Sequence, residues 1–182
     1  MDDSLLTTLE QNLRTFFGDR DVDLDAQAVV YTLSHAGRDV ILTMESAVLR
    51  PRGLTYAGFV LLMSVWISGP LETRALAAVQ RVTKGAIVSS VNQLERLGLV
   101  GRIRSQIDRR LVSVELTGEG RALIEEVQRE WHEMEREMSN VLSQTERRQF
   151  VEVLRKITAR AQTIRKRNQA RKSNAPKDAA VA

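Results

Sequence analysis

At 182 residues the chain can bury a sizeable core in one compact unit with added helices. Hydrophobic residues make up 43% and charged residues 27%, with a net charge of +4 and a sequence pI near 9.8. That basic balance suits a nucleic-acid binder but is shared by ribosomal and membrane-surface proteins. Cysteine is absent, which excludes disulfides, zinc-thiolate sites, cysteine nucleophiles and thiol redox sensing. No apolar run reaches the roughly 18 residues of a membrane span, and Met1-Asp2-Asp3 lacks a basic signal start, so a cytoplasmic chain off the membrane is expected.

In chain order, Leu6, Leu9, Leu13 and Phe16 recur at helical spacing and predict a short helix over 3–17. The acidic stretch Asp19 to Asp25 suits the start of the next helix. Val29, Leu33, Ala36, Val40, Met44 and Val48 predict a long helix from Ala26 to Leu49, stopped before Pro51. Thr55 caps a further predicted helix through Trp66, apolar on nearly every side and so expected in the core. Two short helices are predicted over 73–81 and 83–97. Extended segments come next at Arg102–Arg104 and Leu111–Leu116, around the polar tip 105–110. A helix from Gly118 carries Leu123, Val127, Trp131, Met134 and Met138 on one face. The last begins at Ser143 with Glu146 three residues on, a capping box, and carries Phe150, Leu154, Ile157, Ala161 and Ile164. Beyond Ile164 the chain turns basic, then small and aperiodic, and residues 169–182 are expected to be a disordered basic tail.

The segment Ala75–Val91 has the logic of a helix-turn-helix. Leu76 and Val79 are expected to point inward from the first helix, and Ile87, Val91 and Leu94 from the second. Thr83 stands where an N-cap hydroxyl starts the second helix. Its outward face offers Lys84, Gly85, Val88, Ser89 and Asn92, side chains short enough for the helix to approach base edges. The plain alternative is a helical hairpin with a polar face. The residues after the second helix weaken that alternative. Gly98 suits a helix C-terminus, and a hairpin then leads to an arginine-rich tip in which Asp108 is placed to orient an arginine. An arginine loop beside a recognition helix is a wing, able to reach phosphates or a narrow minor groove.

Between Leu71 and Leu123 stand Leu94-Glu95-Arg96-Leu97-Gly98-Leu99-Val100, then Asp108-Arg109-Arg110, then Leu116-Thr117-Gly118-Glu119-Gly120. In that order and spacing the run resembles the MarR (multiple antibiotic resistance regulator) family; Leu54-Thr55 looks like the start of that family's second helix. It implies a mainly α fold with a small β-hairpin wing, a winged helix-turn-helix between N- and C-terminal dimerisation helices. The corresponding division is an extra helix and linker over 1–24, a dimerisation helix over 25–53, the winged domain over 54–117 and C-terminal dimerisation helices over 118–168. The implied partners are double-stranded DNA carrying an inverted-repeat operator, a second copy of the chain, and a small, often aromatic, effector. By the same resemblance Thr83, Lys84, Gly85, Ser89 and Asn92 enter the major groove, Arg109 or Arg110 contacts the flanking minor groove, and Arg104 takes phosphate. Asp108 holds the wing.

Family members that sense peroxide do so through cysteine, which this chain lacks. A urate sensor is disfavoured because Phe16 and Phe17 stand in the added helix where such members carry a tryptophan, and Val60 stands where an acid is expected. The implied ligand pocket lies between the dimer helices and the winged domain, with His35, Arg38, Tyr56 and Trp66 as lining candidates; the competing reading makes His35 structural and Tyr56 and Trp66 core. His132 among Glu130, Glu133 and Glu135 is charge patterning on a solvated helix, so no metal or other cofactor is expected. Two distant histidines and no glycine-rich phosphate loop leave no enzyme constellation. The expected function is a ligand-released repressor; the alternative is an architectural DNA-binding protein with no effector.

Overall fold

The computed structural model describes residues 11–12, 15–16, 22–104 and 112–173. Residues 11–12 and 15–16 are helical, as the spacing predicts for 3–17, whose remainder lies outside the described residues. The chain forms two compact units, Met1–Trp131 and His132–Ala182.

Helix α1 (Leu24–Met44) opens on Asp23, whose carboxylate accepts from the Ala26 N–H at 2.9 Å. The expected α-helix through Leu49 ends at Met44 instead. A π-turn (Glu45–Leu49) and a 3-10 turn (Arg50–Arg52) take over, closed by Gly53 at φ 68°. The reason is local: Pro51 has no N–H to donate and its ring clashes with the preceding helical turn, so the ladder changes pitch before it. The change leaves the adjacent Val48 and Leu49 both buried.

Helix α2 (Tyr56–Ser68) is capped by Thr55, whose hydroxyl accepts from the Gly58 N–H at 3.1 Å. Phe59, Leu61, Leu62 and Val65 bury it in the core, as its apolar surface requires. Strand β1 (Leu71–Glu72), which the periodicity does not reveal, leads into α3 (Thr73–Gln80), then α4 (Lys84–Arg96), β2 (Val100–Arg104) and β3 (Val112–Leu116). The sheet is antiparallel in the order β1-β3-β2, with Leu71 opposite Val114, Val100 opposite Leu116 and Arg104 opposite Val112. Strand β3 is therefore the central strand of a three-stranded sheet, with β1 and β2 on its two sides.

Helix α5 (Gly118–Ser139) starts from the Leu116-Thr117-Gly118-Glu119-Gly120 segment, which is fastened to Gly98 and Leu99 in the connection between α4 and β2. The Thr117 hydroxyl donates to the Gly98 carbonyl at 2.6 Å and accepts from the Gly120 N–H at 2.9 Å, while the Thr117 N–H donates to the Leu99 carbonyl at 3.1 Å. A Cβ on Gly120 would lie 1.9 Å from the Leu99 carbonyl oxygen, so only glycine fits. Ile124 and Val127 are fully buried, and Trp131 packs on Phe59 with ring centres 4.3 Å apart. Arg52 binds Glu126 at 2.7 Å and also Glu130, tying the end of the α1 segment to α5; the bond to Glu126 is the main cause that raises the Arg52 pKa further.

Helix α6 (Gln144–Ser173) starts with the expected capping box. The Ser143 N–H donates to Glu146 Oε2 at 2.8 Å, and the Glu146 N–H donates to Ser143 Oγ at 3.3 Å. The helix runs on to Ser173, into the stretch that composition marks as a disordered tail. Good helix formers such as Gln169, Ala170, Arg171 and Lys172 carry it there.

Candidate nucleic-acid interface

Thr83 takes an extended backbone conformation (φ −72°, ψ 154°), and its hydroxyl oxygen accepts from the Ala86 N–H at 3.2 Å. The cap uses the oxygen and leaves the hydroxyl hydrogen free to be donated elsewhere. From this start α4 divides into two faces. Ile87, Val91 and Leu94 are 0%, 0% and 1% exposed, whereas Lys84, Gly85, Ser89 and Asn92 all face solvent. The reading of α4 as a helix with a free polar face is therefore correct in this unit.

The inward reading of Val79 is not. Leu76 is fully buried, but Val79 is 59% exposed. Helix α3 turns Thr73, Leu76, Ala77 and Gln80 inward, the i, i+3, i+4, i+7 stripe, and position 79 lies off it. Arg81, in the left-handed region at φ 57°, ends α3 and lets the chain reverse into α4.

The far end of α4 closes as a Schellman motif. The Leu99 N–H donates to the Leu94 carbonyl at 2.9 Å, the Gly98 N–H donates to the Glu95 carbonyl at 3.0 Å, and Gly98 takes φ 72°. The chain is thereby delivered into β2, which brings Arg102 back onto α4. Arg102 forms an ion pair with Glu95 at 3.0 Å and donates to the Asn92 side-chain oxygen. Asn92 thus has one side of its amide committed to β2 and keeps its NH2 as a donor. Sequence reasoning missed Arg102; no local signal marks it, because the pairing with positions 92 and 95 exists only once the hairpin folds back.

Arg104 is the last residue of β2. Asp108, Arg109 and Arg110 lie outside the described residues, in the connection between the antiparallel β2 and β3.

The pocket candidates are not joined by the contacts described for them. His35 is half-buried, with its ring 4.2 Å from that of Tyr31, and Arg38 is exposed. Tyr56, a lining candidate with a core position as its competing reading, is 36% exposed and stacks on Trp131 at 5.9 Å; Trp66 is half-buried on α2. Among the described residues, no helix is long and apolar enough to cross a membrane.

Residues 43–127 match the family model described as transcriptional regulator SarA/Rot. An HTH-type transcriptional regulator of Bacillus subtilis, YwaE, is 28% identical over 136 residues, covering 75% of this chain and 80% of the relative. The transcriptional regulator BldR from Sulfolobus solfataricus is 30% identical with a TM-score of 0.65, over 78% of this chain and 99% of that one. Bordetella bronchiseptica BpsR, solved to explain regulation of its DNA binding by 6-hydroxynicotinic acid, is 25% identical with a TM-score of 0.64, over 71% and 98%. A mutant E. coli MarR complexed with operator DNA shares the fold at a TM-score of 0.68 and 22% identity, over 75% and 98%. The capped, outward-facing α4, the β2–β3 hairpin and these similarities lead to one conclusion: the chain belongs to the MarR family of winged helix-turn-helix transcriptional regulators, which are DNA-binding proteins and not enzymes.

Proposed function

We propose that the chain is a cytoplasmic repressor that binds a pseudo-palindromic operator as a homodimer and is released by a small aromatic ligand. The observation that carries this reading is the division of α4 into a buried apolar stripe and a solvent face of Lys84, Gly85, Ser89 and Asn92. A helix offering a cation, a glycine and short polar groups can enter a major groove without steric conflict. In this reading Thr83 and Lys84 meet the backbone at the helix start, while Gly85 admits close approach. Ser89 and the free NH2 of Asn92 address base edges. Arg104 takes phosphate, and Arg109 or Arg110 at the wing reaches the flanking minor groove, held by Asp108.

The dimer is supported by apolar side chains left in solvent on the flanking helices. Val29, Val30 and Val40 of α1 are 51%, 64% and 45% exposed, and Phe150 and Val153 of α6 are 52% and 48% exposed. These are the helices assigned to dimerisation over 25–53 and 118–168. Two copies also supply the two-fold symmetry that an inverted repeat mirrors. Release by ligand is supported by the regulation of BpsR's DNA binding by 6-hydroxynicotinic acid, and His35, Arg38, Tyr56 and Trp66 remain its proposed lining.

Titration of the full chain against an inverted-repeat duplex from its own promoter region, and against scrambled DNA of equal length, tests the proposal. Binding at least about a thousandfold tighter to the repeat is expected of a specific regulator. Equal affinity would reject it in favour of the architectural alternative, bound through phosphates with a steep salt dependence.

A further inference from the structure

The solvent face of α4 carries one large apolar side chain with no task so far. Val88 is 38% exposed, although the other large apolar residues of the helix are buried. It stands one turn from Lys84 and one turn from Asn92, next to Ser89. A single exposed valine is ordinary on a protein surface and calls for no explanation by itself. Its position does: the groups around it are a cation, a glycine and short polar side chains, which leave Val88 as the apolar prominence of the face. Lys84 beside it complements the negative charge of a DNA groove. Within the major groove the thymine C5-methyl is the one apolar group on a base edge.

We propose that Val88 is a specificity-determining residue that reads a thymine in each operator half-site by packing on its C5-methyl group. The inference rests on the operator-binding reading above and adds to it a base identity. It also separates two kinds of selection on one helix, hydrogen bonding from Ser89 and Asn92 and methyl contact from Val88. Withdrawing one methyl group from such a contact should weaken binding about fourfold per half-site and roughly fifteenfold when both half-sites are changed.

The experiment uses the full chain and a duplex that it selects from a random-sequence pool. Each thymine of that duplex is then replaced by deoxyuridine, which keeps the hydrogen-bonding edge and lacks the methyl. For the wild-type chain, one symmetry-related pair of replacements should weaken binding by the stated factors. The same pair should leave Val88→Ala unaffected and should still weaken Val88→Ile, which retains an apolar side chain. Alanine is the better helix former, so the truncated variant keeps α4. Indifference of the wild-type chain to every replacement overturns the proposal, as does an equal loss in Val88→Ala at the same position. Failure of the wild-type chain to select any sequence overturns the operator reading itself, a result distinct from specific binding that ignores the methyl.

Discussion

Helices α4 and α6 both show much of their surface to solvent, yet what they show is opposite in chemistry. Helix α4 hides Ile87, Val91 and Leu94 against its own chain and presents polar and small side chains. Helix α6 has no buried residue among those described, and Phe150, Val151, Val153 and Ile164 stand 52%, 43%, 48% and 37% exposed. An apolar stripe at helical spacing says that something covers it; the identity of the cover is a separate question. For α4 the cover is the rest of the winged unit, so its other face stays in solvent, where the proposed function puts DNA. For α6 the proposed cover is a second copy, since apolar surface left in water forgoes about 25 cal/mol per Å².

The largest expected effect tests that contrast on the α6 side. Ile157→Asp places a carboxylate in the middle of the apolar stripe, and an unpaired buried charge costs several kcal/mol. Association should weaken at least about a hundredfold, read by sedimentation at micromolar concentration. A wild-type chain that sediments as a monomer there would break the comparison.

Next in size is the joint that holds the winged unit together. Gly120→Ala forces a methyl into the Leu99 carbonyl, and relief by a backbone shift should cost about 1–3 kcal/mol in thermal or denaturant unfolding. Unchanged stability would mean that the start of α5 does not sit this close to the Leu99 carbonyl.

The α4 side is sharpened by a substitution that separates folding from binding. A Cβ on Gly85 would meet only the Thr83 hydroxyl, at 3.9 Å, so the fold does not need glycine there. Gly85→Ala should leave stability unchanged or raise it by up to about 1 kcal/mol, while operator affinity falls. Affinity equal to wild type would show that α4 does not approach DNA closely at this point. Lys84→Ala should weaken specific and scrambled DNA alike and lower the slope of log affinity against log salt by about 1.

The smallest effect is the pH response of the α6 cap. Bonds from the Ser143 hydroxyl and backbone hold the Glu146 carboxyl below its ordinary pKa. A depressed carboxylate stabilises the folded state above its unfolded pKa, and that contribution is lost as pH falls through the folded value. Unfolding should therefore become slightly easier on acidification in wild type, and less so in Glu146→Gln. An identical acid response in the two proteins would remove the cap from the account. Because Glu146 is exposed, the difference will be small.

Much of the fold is legible along the chain because its signals are local. Thr55, Thr83 and the Ser143–Glu146 pair are caps whose partners lie three residues away, and each forms where the sequence places it. Gly98 at φ 72° answers to a backbone need that only a glycine meets cheaply. The composition of α2 likewise announces a buried helix. The end of α1 at Met44, ahead of Pro51, escapes the periodicity because a proline marks a stop without saying which helical pitch precedes it. Val79 is misplaced because α3 is short, and a few residues do not define which stripe faces in.

What the sequence by itself determined is the order of the α-helices and of the β2–β3 pair, and the exposed identity of α4, since capping, periodicity and turn chemistry act over one or two helical turns. What only the tertiary structure decided is how distant residues meet. β1 joins the sheet, Arg102 reaches Asn92 and Glu95, Arg52 reaches Glu126, and the Leu99 carbonyl leaves no room beside Gly120. These contacts depend on how the chain folds back on itself, and no spacing along it encodes the distance between two side chains that meet across elements.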